Sequence, residues 1–260
     1  MRFPSVFVSH GAPSLLLEPA QPAHQFLRAF GAELGRPTAI LIVSAHWEMP
    51  MPTLTAAPRL ETIHDFGGFD PALYAIRYAP PGAGAVGERA RGLLEAAGFA
   101  PRLDPHRGID HGGWVPLFLM YPDADIPVAQ LSVQSQLGVD HHWRLGQALR
   151  PLREEGVLIL ASGSLTHNLR EAFRFVPGAS TPPWVSEFSA WVADALSTSQ
   201  MDALLDYERR APHARLNHPT PEHFLPLFVA LGAGTPGAAP RRVHASVTWG
   251  VLAMDAYVFA

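Results

Sequence analysis

Three stretches of the chain share one pattern, in which an apolar run ends in serine and then histidine. They cover residues 5–10, 39–46 and 157–167. Near-continuous apolar runs of this length are typical of strands buried on both faces, as in a parallel sheet. Ligands of open α/β sheets bind outside the carboxyl ends of the strands. The pattern therefore predicts that His10, His46 and His167 meet at one sheet edge, where they can share a metal ion.

The remaining pattern predicts helices and short strands in alternation. Helices are expected over residues 22–34, 87–97, 115–120, 140–155, 184–197, 201–209 and 224–231, with Asp140 and Thr220 as N-caps. Further strands are expected over 54–56, 74–78 and 126–133, and one or two more within 243–259. We find no internal repeat and no linker. The expected fold is a single α/β domain over residues 1–260, with a central mostly parallel or mixed sheet flanked by helices and a metal site at the C-terminal strand edge.

Residues 61–70 form a polar, glycine-containing segment that is unusually rich in aromatic side chains. Its Gly67-Gly68 pair predicts a loop. Because His64, Asp65 and Phe66 are chemically useful residues on a loop, we expect this segment to fold over the site as a lid.

The amino-acid composition limits which metal ligands and which catalytic nucleophiles are possible. The 260 residues include no cysteine, so disulfides, thiolate ligands and Cys-His nucleophilic enzymes are excluded. A metal site must then use imidazole, carboxylate or water. The net charge of −4 and the absence of a basic cluster argue against nucleic-acid binding. We find neither a signal peptide nor an apolar run near the roughly 20 residues that cross a bilayer, so we expect a cytoplasmic protein without membrane contact.

The 13 histidines need separate interpretations. We expect an ordinary structural role for those on helix surfaces, in loops or in an edge strand, namely His24, His141, His142, His213 and His244. His10 and His46 are favoured as metal ligands because each follows an apolar strand and a serine. His167 is interpreted as a ligand, an acid/base or a helix-start cap. His223 follows Glu222 at a helix entry, and His111 lies in a glycine-rich turn after Asp110.

Five motifs in a fixed order resemble one known family. They are Ser9-His10-Gly11-Ala12-Pro13, Ser44-Ala45-His46-Trp47-Glu48, Asp110-His111-Gly112-Gly113-Trp114, Gly163-Ser164-Leu165-Thr166-His167-Asn168 and Pro219-Thr220-Pro221-Glu222-His223. The chain is thereby similar to the DOPA-dioxygenase-type extradiol ring-opening enzymes of the class III extradiol (LigB-like) superfamily. The resemblance covers nearly the whole chain and is specific for the family, though not for a substrate.

The resemblance implies a non-haem Fe(II) site, with Zn(II) as an alternative bound metal. It implies that His10 and His46 are ligands and places His223 at the third position, with the neighbouring Glu222 as the competing ligand. His167 falls where the superfamily keeps an acid/base histidine, which some members count as a fourth metal contact. His111 corresponds to a substrate-contacting histidine.

The implied reaction joins a catechol-type substrate and O2. We expect apolar walls from Trp47, Phe66 and Trp114 and a substrate contact from Ser164. Two other functions use the same features: a zinc hydrolase, in which the ion activates water, and a non-enzymatic interaction module of the same fold. The sequence leaves the catechol open, and also whether the protein is a monomer or a homo-oligomer.

Overall fold

The structure is a computed structural model that describes residues 2–176 and 178–260. One large sheet organises it. In the described residues the strands, in chain order, are β1 (Ser5–Ser9), β2 (Ala39–Glu48), β3 (Thr53–Thr55), β4 (Arg102–Asp104), β5 (Val128–Val133), β6 (Val157–Gly163), β7 (Arg241–His244), β8 (Val247–Thr248), β9 (Leu252–Ala253) and β10 (Ala256–Phe259).

The large sheet has the order β4-β3-β5-β2-β6-β1-β10-β7, and β8 pairs with β9 in a separate ribbon. Its centre is parallel, because β2 pairs in parallel with β5 and β6, and β6 pairs in parallel with β1. Antiparallel pairs join β3 to β5 and β1 to β10. The mixed sheet confirms the predicted fold class, and the carboxyl ends of β1, β2 and β6 lie side by side.

Helices cover both faces of this sheet. In chain order they are α1 (Pro22–Leu34), α2 (Pro71–Ala75), α3 (Gly84–Ala96), α4 (His111–Met120), α5 (Gly138–Leu149), α6 (Leu169–Ala172), α7 (Pro183–Ser197), α8 (Met201–Leu205), α9 (Tyr207–Arg210), α10 (Ala214–Asn217) and α11 (Leu225–Ala233). Across the described ranges, none of them combines the length and apolarity that crossing a membrane requires.

Alternation along the central strands explains the two covered faces. On β2, Leu41 and Val43 belong to one core cluster, which α3, α5, α7 and α11 complete. Ile40 and Ile42 point the other way into a second cluster, which α1 and α4 complete. Because successive side chains of a strand face opposite sides, an all-apolar strand requires a helical layer on each side.

One predicted short strand and two predicted helix caps were wrong. Residues 74–78 do not form a strand, because Asp70 caps α2 by accepting a hydrogen bond from the Ala72 amide and Pro71 begins that helix. Asp140 lies inside the first turn of α5 and does not cap it. Thr220 does not cap the last helix, since its hydroxyl donates to Glu222 and α11 begins only at Leu225.

Two histidines expected on the surface are buried. The Nδ1 of His24 lies 2.8 Å from the carbonyl oxygen of Leu15. His142 is fully buried, with Nδ1 2.6 Å from the carbonyl oxygen of Gly138 and Nε2 accepting a bond from the Gln134 amide. Each ring is paired with backbone groups, which compensates for its removal from water.

Candidate metal centre

Three imidazoles from distant parts of the chain converge at the carboxyl edge of the sheet. His10 follows β1, His46 lies near the end of β2, and His223 lies in the turn before α11. The Nε2 atom of His46 is 3.1 Å from the Nε2 of His10 and 3.1 Å from the Nε2 of His223. These three rings therefore present their Nε2 atoms to one point.

The opposite nitrogens of the same rings face polar partners. The Nδ1 of His10 lies 3.0 Å from the hydroxyl of Ser162, and the Nδ1 of His223 lies 2.8 Å from a carboxylate oxygen of Glu222. The Nδ1 of His46 is 3.7 Å from Asp65, beyond hydrogen-bond distance. Partners on Nδ1 fix the ring orientation and direct the Nε2 lone pair toward a metal.

These histidines are neutral at physiological pH. Burial lowers the pKa of His10 and of His223 well below its usual value, and neighbouring histidine charges add to the effect. Burial also lowers the pKa of His46 to about 3, although the Asp65 carboxylate acts in the opposite direction. Neutral imidazole is the form that binds a metal ion.

The donor set fits a metal ion. Nitrogens that are each about 2.0–2.1 Å from one ion lie roughly 3 Å from one another, and the two observed Nε2 separations are 3.1 Å. With protons on Nδ1, three buried lone pairs would face each other, which is unfavourable without a cation between them. His10, His46 and His223 thus form a group suited to one ion.

The N-terminus of α4 is held against this centre by a buried carboxylate. Asp110 is fully buried and caps α4 by accepting a bond from the Gly113 amide. It also accepts bonds from Ser44, from Gln130 and from Arg107. A buried carboxylate with this many donors is a rigid anchor. Its neighbour His111 begins α4 and lies with its ring centroid 3.9 Å from that of His46.

Asp65 places the loop 61–70 beside the same rings. One of its carboxylate oxygens accepts a bond from the His111 amide and lies 3.0 Å from the His111 Nδ1 atom. Burial alone would raise the pKa of Asp65, but the contacts with His111 outweigh it and lower that pKa to about 2. The loop predicted as a lid therefore contributes an ionised side chain to the site.

A cavity of about 360 Å³ opens over the convergent nitrogens. The lining includes all five site histidines predicted from the sequence, together with Asp65, Phe66 and Ser164. Its apolar part comes from Phe69, Leu169, Phe173, Trp249 and Leu252. A concave, mostly apolar space with a few convergent polar groups is typical of a small-molecule site.

A family model described as the catalytic LigB subunit of aromatic ring-opening dioxygenase matches residues 4–254. The chain belongs to this family. It is an enzyme of the aromatic ring-opening dioxygenase class, and LigB-family enzymes depend on a metal.

LigB-family relatives match along most of their length. A protein from Beta vulgaris named 4,5-DOPA dioxygenase extradiol is 42% identical over 97% of this chain and 95% of its own. A protein of the same name from Escherichia coli K12 is 40% identical over 89% of this chain and 85% of its own. A solved structure of an uncharacterized Escherichia coli K12 protein is 32% identical, with a TM-score of 0.81 and full coverage of both chains.

Two tryptophans expected to wall the LigB-family pocket do not line this cavity. Trp47 is buried and packs under the Arg107 guanidinium, which lies 4.7 Å from its ring. Trp114 is fully buried in the core, and its Nε1 donates to the carbonyl of Ile63. Of the predicted aromatic walls, Phe66 does line the cavity.

The sequence pattern does not predict several apolar residues that line the cavity. Leu169 and Phe173 come from α6 and the residue after it, and Trp249 and Leu252 come from the region of β8 and β9. No local pattern marks these residues as pocket-forming, because their position depends on how distant segments pack. The sequence marks Ser162 only as a serine before a histidine and Glu222 as the competing third ligand, whereas in the structure each of them contacts a ring Nδ1.

Proposed function

We propose that this LigB-family enzyme is an extradiol dioxygenase that cleaves a DOPA-like catechol with O2. The observation that carries the proposal is the convergence of the His10, His46 and His223 Nε2 atoms at the base of an apolar cavity. The relatives named 4,5-DOPA dioxygenase extradiol support the choice of substrate. Over residues 1–260 the chain would act as a single catalytic domain.

In this proposal His10, His46 and His223 hold Fe(II) from one side and leave the cavity side open. When bound, the iron supplies the redox chemistry that joins catechol and O2. Glu222 is a partner of His223 and not the third ligand, because its carboxylate lies on the Nδ1 side of that ring. Imidazole also suits zinc, so Zn(II) is the competing ion in the same position.

His167 is the proposed proton acceptor for a catechol hydroxyl. Its ring lines the cavity, and burial, together with the charges of neighbouring histidines, lowers its pKa to about 3. The ring is therefore uncharged before substrate binds and free to take a proton. His167 is stacked on His223 and is not a member of the His10–His46–His223 group, which supports the acid/base role, although it forms a second possible metal-binding group with Glu222 and His223.

His111 is proposed to hydrogen-bond negative charge that develops on the substrate. Asp65 faces its Nδ1 atom, so Nε2 is left to face the substrate and donates to it when both ring nitrogens carry a proton. A donor fixed before the reaction stabilises developing charge without reorganisation. Phe66 on one side of the cavity is positioned to contact the aromatic ring, and Ser164 contributes a buried hydroxyl nearby.

The test is reconstitution of metal-free protein with Fe(II) or with Zn(II), followed by addition of DOPA in air. We expect O2 uptake and a yellow ring-opened product with Fe(II) only. Failure of Fe(II)-loaded protein to consume O2 with a panel of catechols would contradict the proposal. Hydrolysis of ester substrates by the zinc-loaded form without any ring opening would favour the zinc hydrolase.

A further inference from the structure

Ser162 stands between one proposed ligand and the helix that carries His111. It is the sixth residue of β6 and is fully buried. Its hydroxyl lies 3.0 Å from the Nδ1 of His10 and also hydrogen-bonds the carbonyl oxygen of Gly112 in α4. The side chain therefore joins residues that are far apart in the chain.

Counting protons decides the direction of these two bonds. A carbonyl oxygen can only accept, so the hydroxyl must donate its single proton to Gly112. Toward His10 the serine oxygen can then only accept, and the Nδ1 of His10 must carry the proton. A neutral imidazole has one N–H, so the Nε2 of His10 is left with a lone pair facing the ligand group.

Ser44 repeats the arrangement on the neighbouring strand. Ser44 and Ser162 are register partners on β2 and β6. The hydroxyl of Ser44 donates to Asp110 at 2.6 Å and accepts from the His46 amide at 3.2 Å. Both serines thus give their protons to the N-terminal end of α4, Ser44 to the N-cap Asp110 and Ser162 to Gly112. Each also accepts from a histidine, Ser44 from a backbone amide and Ser162 from a ring nitrogen.

We infer that Ser162 is a positioning residue that selects the metal-binding tautomer of His10 and ties that ligand to the helix bearing His111. This inference rests on the proposed metal site and extends it to a residue that touches neither metal nor substrate. Both hydrogen bonds of Ser162 are needed to select this tautomer. If Gly112 did not accept the hydroxyl proton, the hydroxyl could rotate and donate to His10 instead. That rotation would place the His10 proton on Nε2 and remove the lone pair.

Ser162→Ala removes the acceptor with little change in volume. We expect Zn(II) affinity, measured by competition with a chelator, to fall about 10- to 100-fold, as is typical for the loss of a partner of a metal-bound histidine. Ser132→Ala is the matched control, because Ser132 is equally buried on β5 and its hydroxyl bonds Gln134 and the Thr53 amide. The Zn(II) affinity of the control should stay within about threefold of the wild-type value. That change is well below the loss expected for Ser162→Ala.

A second measurement starts with the wild-type protein, so its first result does not depend on how the variant folds. In Zn(II)-loaded wild-type protein, nitrogen-15 NMR should show the His10 Nδ1 proton as a downfield signal that exchanges slowly with water. In Ser162→Ala the signal should move upfield or disappear through exchange. A His10 ring bound to zinc through Nδ1, or a rapidly exchanging Nδ1 proton in the wild type, would overturn the inference.

The outcomes separate this inference from the proposed function. If wild-type protein fails to bind Zn(II) through His10, the proposed metal site itself is wrong. If wild-type protein binds Zn(II) through His10 and Ser162→Ala binds it equally well, only the role of Ser162 is refuted. Equal losses in Ser162→Ala and Ser132→Ala would also refute it, since the effect would then be a general one on the sheet.

Discussion

The imidazole rings of His167 and His223 are stacked, with centroids 3.4 Å apart and planes inclined by 10°. This contact sets a proposed proton acceptor directly beside a proposed metal ligand. Stacking fixes the plane of His167, and His223 is in turn fixed by Glu222. Both rings are imidazoles, so their different proposed roles come from the residues that each ring contacts.

His167→Ala should retain the metal and lose turnover. The ring is outside the three-nitrogen group, so metal content should equal that of the wild type, while the loss of a general base typically costs about 10²- to 10⁴-fold in rate. Metal analysis and O2 uptake with DOPA check the two halves of the prediction. Full activity in this variant would remove His167 from the mechanism.

His10→Ala and His46→Ala should each abolish metal retention. Either change deletes one of three converging nitrogens and leaves a two-ligand site. We expect the amount of Fe(II) that stays bound after dialysis to fall by more than about 100-fold. This exceeds the loss in metal affinity that is typical when only a hydrogen-bond partner of a ligand is removed. His106→Ala, in an exposed loop position, is the control and should bind metal normally. Normal metal content in His46→Ala would show that the ion lies elsewhere.

Glu222 should affect metal affinity both through its negative charge and by orienting the His223 ring. Glu222→Gln keeps an oxygen that can accept from the His223 Nδ1–H, whereas Glu222→Ala keeps nothing. We therefore expect metal affinity to fall about 10- to 100-fold in the alanine variant and by less in the glutamine variant. Glu48→Gln is the control, since Glu48 bonds Ser135 and no ligand ring. Loss of the metal in Glu222→Gln as complete as in His10→Ala would instead make Glu222 a ligand.

Gly112→Ala should damage the site without unfolding the chain. A Cβ atom at Gly112 would lie 2.9 Å from the His46 ring and would also collide with the Ser44 hydroxyl. The helix start and the ligand must then separate, so turnover and metal affinity should both fall. Gly92→Ala in α3 has open space around it and should stabilise the protein by up to about 1 kcal/mol through helix propensity. Unchanged activity in Gly112→Ala would contradict the close contact.

His142 should make the metal-free protein less stable in acid. Burial lowers the pKa of this ring to about 4, although its bond to Gly138 acts in the opposite direction. Between the unfolded pKa of about 6.5 and the folded pKa, the unfolded chain binds a proton that the folded chain does not, so stability falls as the pH decreases. Over the whole window this amounts to about 3 kcal/mol.

Urea unfolding at several pH values between 7 and 4 measures that effect. His142→Gln should reduce the pH dependence by up to about 1.4 kcal/mol per pH unit. His141→Gln, next to it in the chain and only half buried, should remove a smaller part. An identical pH dependence in wild type and His142→Gln would show that this ring is not responsible.

The local sequence pattern was sufficient to predict the main helices and strands and part of the site. The helix Pro22–Leu34 was predicted with its observed bounds because its apolar spacing is regular and proline begins it. His10 and His46 were predicted to meet because both follow strands of one parallel sheet, and the carboxyl ends of such strands share an edge. Both inferences use periodicity and chain order, which are readable without coordinates.

Packing between distant segments decided the rest. Ser162 became the partner of the His10 ring only when β1 and β6 paired, and Phe173 and Trp249 became cavity wall only when α6 and the β8–β9 ribbon came together. Trp47 is expected in the cavity wall because it follows His46 in the chain, but its ring packs against the Arg107 guanidinium instead. Motifs state which side chains are present, whereas hydrogen-bond direction and cavity shape arise from contacts across hundreds of residues that no local pattern encodes.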